Sequence, residues 1–386
     1  CPRGRVSHRG RGMTLWGYIL LACAASYLTK LAGYAVPARW LQNPRMTRVA
    51  GAITVALLAS LTVMNTFAAG TALVIDARLA SLAAAALALW LRLPFLLVVV
   101  LFEGREINGA KRWIHLGPVN LQPTEIFKLA IILYLASFFT RRAEILKQFK
   151  KVAFAGVPVG AGLGLIMLEP DFGSFVVVTV VALGLLFLAG LPWRWFLMMV
   201  GAGLLSMIGL IAMAPYRVAR VTAFLNPWED PLGKGYQLTH SLMAIARGEW
   251  FGVGLGASLE KRFYLPEAHT DFILAVIGEE FGMAGICVLI FCYGWLVWRA
   301  FSIGKQARDL ELYYGAFVAK GVGIWLGIQS FFNIGVNIGL LPTKGLTLPL
   351  MSYGGSAVIV MLVSMTLLLR VDYENRLKMR GYKVEG

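Results

Sequence analysis

Residues 264–282 read YLPEAHTDFILAVIGEEFG. This stretch sets a carboxylate, Asp271, where a long polar segment meets a long apolar one. Glu267 and His269 stand just before it, and Glu279 and Glu280 follow one helical stretch later. An ionisable group in such apolar surroundings is costly, so a cluster of them marks a functional position. The structural alternative is that Asp271 simply caps the helix that follows.

Working outward from that stretch, composition fixes the fold class. Of the 386 residues, 58% are hydrophobic and 15% charged, and the mean hydropathy is +0.71. A soluble domain of this size would associate through so much apolar surface. Apolar runs of about 20 residues suit helices crossing a hydrocarbon core of about 30 Å. The every-second-residue alternation of a membrane β-barrel is missing. The expected fold is therefore all-α, a polytopic membrane protein.

The 36 Lys and Arg against 20 Asp and Glu leave a net charge of +16, carried in short clusters between apolar runs. Such clusters mark cytoplasmic loops and acidic headgroups, with no nucleic-acid partner expected. Cys1, Cys23, Cys287 and Cys292 form no metal-spacing motif and imply no structural disulfide. Residues 1–12 are a basic flank ahead of Met13, which reads as a true start or as a sign that the chain is a fragment, and no cleavable signal peptide is expected.

Along the chain, apolar runs predict three spans near 14–31, 49–69 and 79–101. From Phe102 the character changes to a polar loop, followed by spans near 124–140, 152–168, 173–190, 194–214, 272–298, 313–340 and 347–370. That makes about ten, arranged as a three-span segment (13–101) and a seven-span segment (102–386). Basic residues at 141–151, at 299–308 and in the tail place those loops in the cytoplasm. The 102–123 loop, EPDFG, the large 215–271 loop between spans seven and eight, and LPTKG then face outward.

That outward face collects the candidate chemistry. RWIHLG and QPTEIFK offer Arg112, Glu125 and Lys128. Glu125 and Lys128, at i and i+3, share a helix face, and a structural ion pair is the plain alternative. EPDFGS adds Glu169 and Asp171 at a turn, where solvated carboxylates are the ordinary reading. GYQLTHSLMAIARGEW (235–250) has the pattern of an amphipathic helix in the membrane interface. Arg217, Arg220, Lys234, Lys261 and Arg262 could receive diphosphate or lipid headgroups, although loop charges are usually just solvated. LPTKGLTLPLMSYGGSA (341–357) carries Lys344 and irregular backbone at membrane depth, tolerable where it lines a cavity.

Two resemblances follow from these residues. Met13 to Leu101, with PARWL and a Pro-broken last span, resembles the small AzlD-type subunit of branched-chain amino acid exporters. More specifically, NGAKRWIHLGPVNLQPTEIFK, EPDFGS, FLNPWEDPLGKGYQLTHSLMAIARGEWFGVGLG, YLPEAHTDFILAVIGEEFG and LPTKGLTLPLMSYGGS, in this order, resemble the SEDS family of peptidoglycan glycosyltransferases, its division-specific FtsW-like branch above all. This likeness runs from about Gly104 to the end, so the chain reads as a fusion joined near Leu101 to Gly104.

The second resemblance implies polymerisation of lipid II, an undecaprenyl diphosphate-linked disaccharide peptide, outside the bacterial cytoplasmic membrane at the division septum. It implies a class B penicillin-binding transpeptidase and other divisome proteins as partners. Asp271 would be the catalytic residue, Glu125 and Lys128 would line a central cavity, and Lys344 matches the Lys of the division branch. Arg112, Arg217, Glu267 and His269 are the further substrate-binding candidates. The chemistry suits these residues. A sugar hydroxyl attacks an anomeric carbon as polyprenyl diphosphate leaves, and one carboxylate can take the proton, worth roughly 10² to 10⁴ in rate. Cations, including Arg217, Lys344 or a bound divalent ion such as magnesium or manganese, can stabilise the leaving group. The other readings are a transporter, either a lipid II flippase or an amino acid exporter component, and a noncatalytic division scaffold.

Overall fold

The structure, a computed structural model, describes residues 105–107, 110–116, 119–142, 156–169, 171–212, 224–343 and 345–382, with the short pieces 68–69, 72–73, 148, 152–153 and 222. Residues 1–79 and 80–386 form separate compact units. In the first, β1 (Ala68–Ala69) pairs antiparallel with β2 (Ala72–Leu73). The basic flank, the exporter-like segment and its three expected spans otherwise lie outside the described residues, as do Arg217, Arg220 and Lys344.

The second unit is a helical bundle, as composition requires. Its helices are α1 (Pro123–Arg141), α2 (Val157–Leu168), α3 (Phe172–Leu188), α4 (Trp193–Ala212), α5 (Tyr236–Gly248), α6 (Ile273–Asp309), α7 (Tyr313–Asn337) and α8 (Gly355–Met379). Among the described residues, α1, α6, α7 and α8 are long and apolar enough to cross a membrane. Pro123 opens α1 where a missing N–H costs nothing. Asp171 caps α3 by accepting the Ser174 N–H at 3.1 Å.

The expected polar loop at 102–123 is instead a small antiparallel sheet, β3 (Arg105–Ile107), β4 (Ala110–Leu116) and β5 (Val119–Leu121), in that order. It docks against the first turns of α1 and α8, where Gln122 N–H donates to Ser356 Oγ at 3.2 Å. Its polar, turn-rich sequence looks like a loop because the strands are only three to seven residues long.

The core gathers around α7, packed against α1, α3, α6 and α8. Trp325, Leu326, Ile132, Leu185 and Val177 are fully buried there. Small residues let the backbones approach: a Cβ on Gly321 would come 2.6 Å from Ile132 and one on Gly323 3.1 Å from Ala300. A second cluster, including Ala300, Ile303, Ala316 and Leu368, closes the end away from Asp271.

α6 has 37 residues and is broken at Gly282, whose φ of 65° and ψ of −165° leave the helical region. The break accepts the preceding loop as a partner: Met283 N–H donates to Glu249 O at 2.8 Å and Ala284 N–H to Trp250 O at 3.1 Å. In return Val253 N–H donates to Glu279 O at 2.9 Å. A side chain at 282 would strike the Trp250–Gly252 backbone within 2.6 Å, so glycine is required by space as well as by φ.

Candidate active site

The turn that carries Asp271 is made by the chain itself and then pinned by its neighbours. Glu267, at φ 56°, accepts the N–H groups of Thr270 and Phe272 on its carbonyl. α6 begins only after Phe272 and has no side-chain cap, so Asp271 is not a helix cap and its carboxyl is available. Three successive carbonyls are held from outside. Tyr353 N–H donates to His269 O at 2.8 Å, and Ser352 Oγ to Thr270 O at 2.5 Å. Asn333 and Asn337 Nδ2 both donate to Asp271 O, at 2.8 and 3.0 Å.

The two asparagines reach further. Asn333 also donates to Leu346 O at 2.6 Å, while Asn337 Oδ1 accepts the Ala275 N–H at 3.1 Å. One face of α7 thereby ties together the turn, the start of α6 and the segment before α8. Neither asparagine is among the candidates named from sequence, yet the sequence carries a signal for them. Gln329, Asn333 and Asn337 stand at i, i+4 and i+8 on an otherwise apolar helix, one polar stripe aimed at a single place.

The Asp271 carboxyl faces Gly345, where an added Cβ would sit 3.1 Å from Oδ2. Burial pushes its pKa up, Glu267 and Asp171 push it further, and Arg112 opposes them, leaving it at about 7. Glu169, almost fully buried, is raised to about 8, again by burial first and Asp171 second, against Thr124 and Arg112. Arg112 and Asp171 thus act on both carboxyls. Arg112, on β4, is fixed by donating Nε–H to Glu169 O at 3.0 Å, and Thr124 Oγ1 donates to Glu169 Oε2 at 3.3 Å.

Below this lies the pair expected from sequence. Lys128 Nζ donates to Glu125 Oε1 at 2.7 Å and to Gln329 Oε1 at 3.0 Å, 5.3 Å from the centre of the Trp325 ring. Gln329 Oε1 accepts Trp325 Nε1–H at 2.7 Å, and its Nε2 donates to Thr347 O at 2.9 Å. The charges are mutually satisfied, apart from the buried Glu125 Oε2 and Glu169 Oε1, which have no hydrogen-bond donor among the described residues.

Glu279 and Glu280 do not join Asp271. Glu279, fully buried, accepts from Arg247 Nη1 at 2.9 Å, Ser258 Oγ at 2.5 Å and the Leu259 N–H at 3.0 Å. Glu280 pairs with Lys261. Both serve to fasten the long loop to α6. Glu267 and His269 are exposed beside Asp271, and Glu267 Oε2 accepts from Thr270 Oγ1 at 2.7 Å. Among the described residues no three His, Cys, Asp or Glu side chains gather into a set able to hold a metal ion, so these residues do not by themselves fit an enclosed cation site. A groove of about 730 Å³ opens beside the turn, lined by His269, Ile273, Met351, Tyr353, Val358 and Ile359 among others. Its walls are largely apolar, a form suited to the apolar part of an amphipathic ligand.

This arrangement can be set beside known proteins. The sequence pattern of the FtsW/RodA/SpoVE family of cell cycle proteins matches residues 41–377, beginning inside the exporter-like segment. The probable peptidoglycan glycosyltransferase FtsW of Neisseria gonorrhoeae (strain NCCP11945) is 63% identical over 325 residues, covering 75% of this chain and 70% of that protein. The corresponding protein of Polynucleobacter necessarius is 53% identical over 294 residues, with the same coverage. A solved chain from a peptidoglycan synthase complex that coordinates polymerization and crosslinking aligns at a TM-score of 0.60 and 32% identity, over 93% of this chain and 98% of that one. The rod shape determining protein RodA of Thermus thermophilus aligns at 0.52 and 30%, over 93% and 97%. With a family pattern spanning most of its length and relatives this similar, the chain belongs to the FtsW/RodA/SpoVE family of cell cycle proteins.

Proposed function

We propose that this chain is a peptidoglycan glycosyltransferase of the FtsW type, polymerising lipid II into glycan strands during cell division, with Asp271 as the general base. The observation that carries the reading is the Asp271 carboxyl itself. It stands on a turn whose carbonyls are fixed by Asn333, Asn337, Ser352 and Tyr353 and whose neighbouring residues His269 and Ile273 line a groove, with a pKa raised to about 7. A base of that pKa is ionised in useful proportion at neutral pH and still takes a proton readily.

In this reading the acceptor sugar hydroxyl lies against Asp271 and attacks the anomeric carbon of the donor. The C–O bond to the diphosphate breaks as the new glycosidic bond forms, and the proton passes to Asp271. No glycosidic oxygen needs protonating, so one carboxyl suffices, in contrast to the carboxyl pairs of hydrolases. Arg112 is placed to favour negative charge near the reacting centre. Arg217, Lys344, Glu267 and His269 remain substrate-binding candidates on sequence grounds. A divalent cation, if one takes part, would supply charge stabilisation for the leaving diphosphate.

The Asp271 end of the bundle faces outward from the bacterial cytoplasmic membrane, because the opposite end carries Arg141, Arg142, Arg299 and Lys305. A class B penicillin-binding transpeptidase is the expected partner, in keeping with the synthase complex to which the fold is similar. The test incubates the purified chain and its transpeptidase with labelled lipid II. Wild type should build glycan strands and Asp271→Asn should not, while still binding lipid II. If Asp271→Asn polymerises normally, the reading fails, and loss of lipid II translocation alone would mark a flippase.

A further inference from the structure

We propose that Trp250 and Phe251 form a knuckle that inserts into the phospholipid leaflet on the Asp271 side and sets the height of the active-site loop above the bilayer. Three observations lead there. The first is exposure: Trp250 is 70% exposed, Phe251 86% and the nearby Leu255 80%, on a loop that also exposes Leu225, Trp228 and Leu232.

The second is depth. On α6 the outward-facing apolar side chains begin at Phe281 and end at Trp298, immediately before Arg299. Seventeen residues of helix rise about 26 Å, close to the roughly 30 Å of a hydrocarbon core. Phe281 therefore marks the edge of the lipid on the Asp271 side, and Trp295 and Trp298 mark the other edge. The knuckle is bonded at the Phe281 level through Met283 to Glu249, Ala284 to Trp250, Val253 to Glu279 and Gly254 to Glu280. These bonds are backbone to backbone on both sides, so the depth of the loop is fixed by the helix.

The third is chemistry. A Trp–Phe pair at the edge of the hydrocarbon matches the residues that populate membrane interfaces, where an amphipathic ring prefers the headgroup boundary. Exposed cations stand on the same loop, at Lys234, Arg247 and Arg262, and suit a leaflet containing anionic lipid. A folded partner would meet the same residues only by penetrating to lipid depth, so a lipid leaflet is the occupant these observations favour.

The knuckle connects to the site through the acidic residues beside the break in α6, and Lys261 pairs with Glu280 there. Glu279, beside the break in α6, holds Ser258, Leu259 and Glu260, and the chain from there runs directly into the Asp271 turn. Seating the loop in lipid would hold Asp271 level with the diphosphates of lipid-linked substrates. That consequence rests on the function proposed above, whereas the insertion itself does not.

The experiment uses the full chain with Cys1, Cys23, Cys287 and Cys292 replaced by alanine and Phe251→Cys carrying a nitroxide. It is reconstituted in phosphatidylethanolamine and phosphatidylglycerol vesicles. Collision rates with oxygen, which concentrates in lipid, and with a nickel chelate, which stays in water, report depth. The oxygen-to-nickel ratio at 251 should exceed that of Glu229→Cys, on the same loop, by about threefold or more and approach that of Phe291→Cys on α6. Trp250→Cys, read the same way, guards against a variant that does not fold. A ratio equal to that of Glu229→Cys overturns the proposal, and so does a label that becomes shielded only when the transpeptidase is added. Loss of polymerisation with the knuckle still in lipid would count against the proposed function alone.

Discussion

The two amides on the Asp271 carbonyl make a prediction whose size follows from the geometry. Asn337→Ala removes one donor from Asp271 O and one acceptor from the Ala275 N–H, which keeps Phe272 O at 3.0 Å. Two net hydrogen bonds at about 1 kcal/mol each give about 2 kcal/mol. Asn333→Ala removes the other donor and the bond to Leu346 O, again about 2 kcal/mol. Either single variant leaves Asp271 O one partner. The double variant leaves a buried carbonyl with neither asparagine, adding about 1–3 kcal/mol beyond the sum.

Rate should suffer more than stability in the single variants. If Asp271 is the general base, displacing it by about 1 Å should cost on the order of 10² in rate, while most molecules remain folded. Thermal unfolding in micelles gives the stability term, and strand formation from fluorescent lipid II at a temperature where both single variants are folded gives the rate. Strict additivity in the double-mutant cycle, or rates that fall only in proportion to the unfolded fraction, would refute the argument that α7 positions Asp271.

Two further predictions concern charge. If Asp271 is the base, kcat/KM should rise with pH and level off above an apparent pKa of about 7, since only the ionised form accepts a proton. Glu267→Gln removes a repelling charge and should move that limb to lower pH, whereas Arg112→Gln removes an attracting one and should move it higher. Lys128→Met strips Glu125 of its buried partner and should cost about 3–5 kcal/mol, measured by unfolding; Glu125→Gln added to it should recover most of the loss.

Much of this protein follows from the chain read in one dimension. Apolar runs of span length force helices, because lipid offers no partner for an open backbone; among the described residues a helix overlaps each run expected after residue 102, four of them long and apolar enough to cross a membrane. Asp271, Glu125 and Lys128 stand out from sequence because a charge among apolar residues has few structural excuses. The Glu125–Lys128 contact was also readable, since three residues on a helix bring side chains to one face.

What the chain alone left open depends on distances between residues far apart in sequence. Asp271 and Asn337 are 66 positions apart, and nothing local says that their backbone and side chain meet. The sheet at 105–121 was hidden because short strands gain their stability from what they dock against and carry little pattern of their own. The four acidic residues of the 264–282 stretch look alike on paper. Only packing separates them: Glu279 is surrounded by donors and spent on holding a loop, while the Asp271 carboxyl is half enclosed beside Gly345, and burial is the largest cause that raises its pKa.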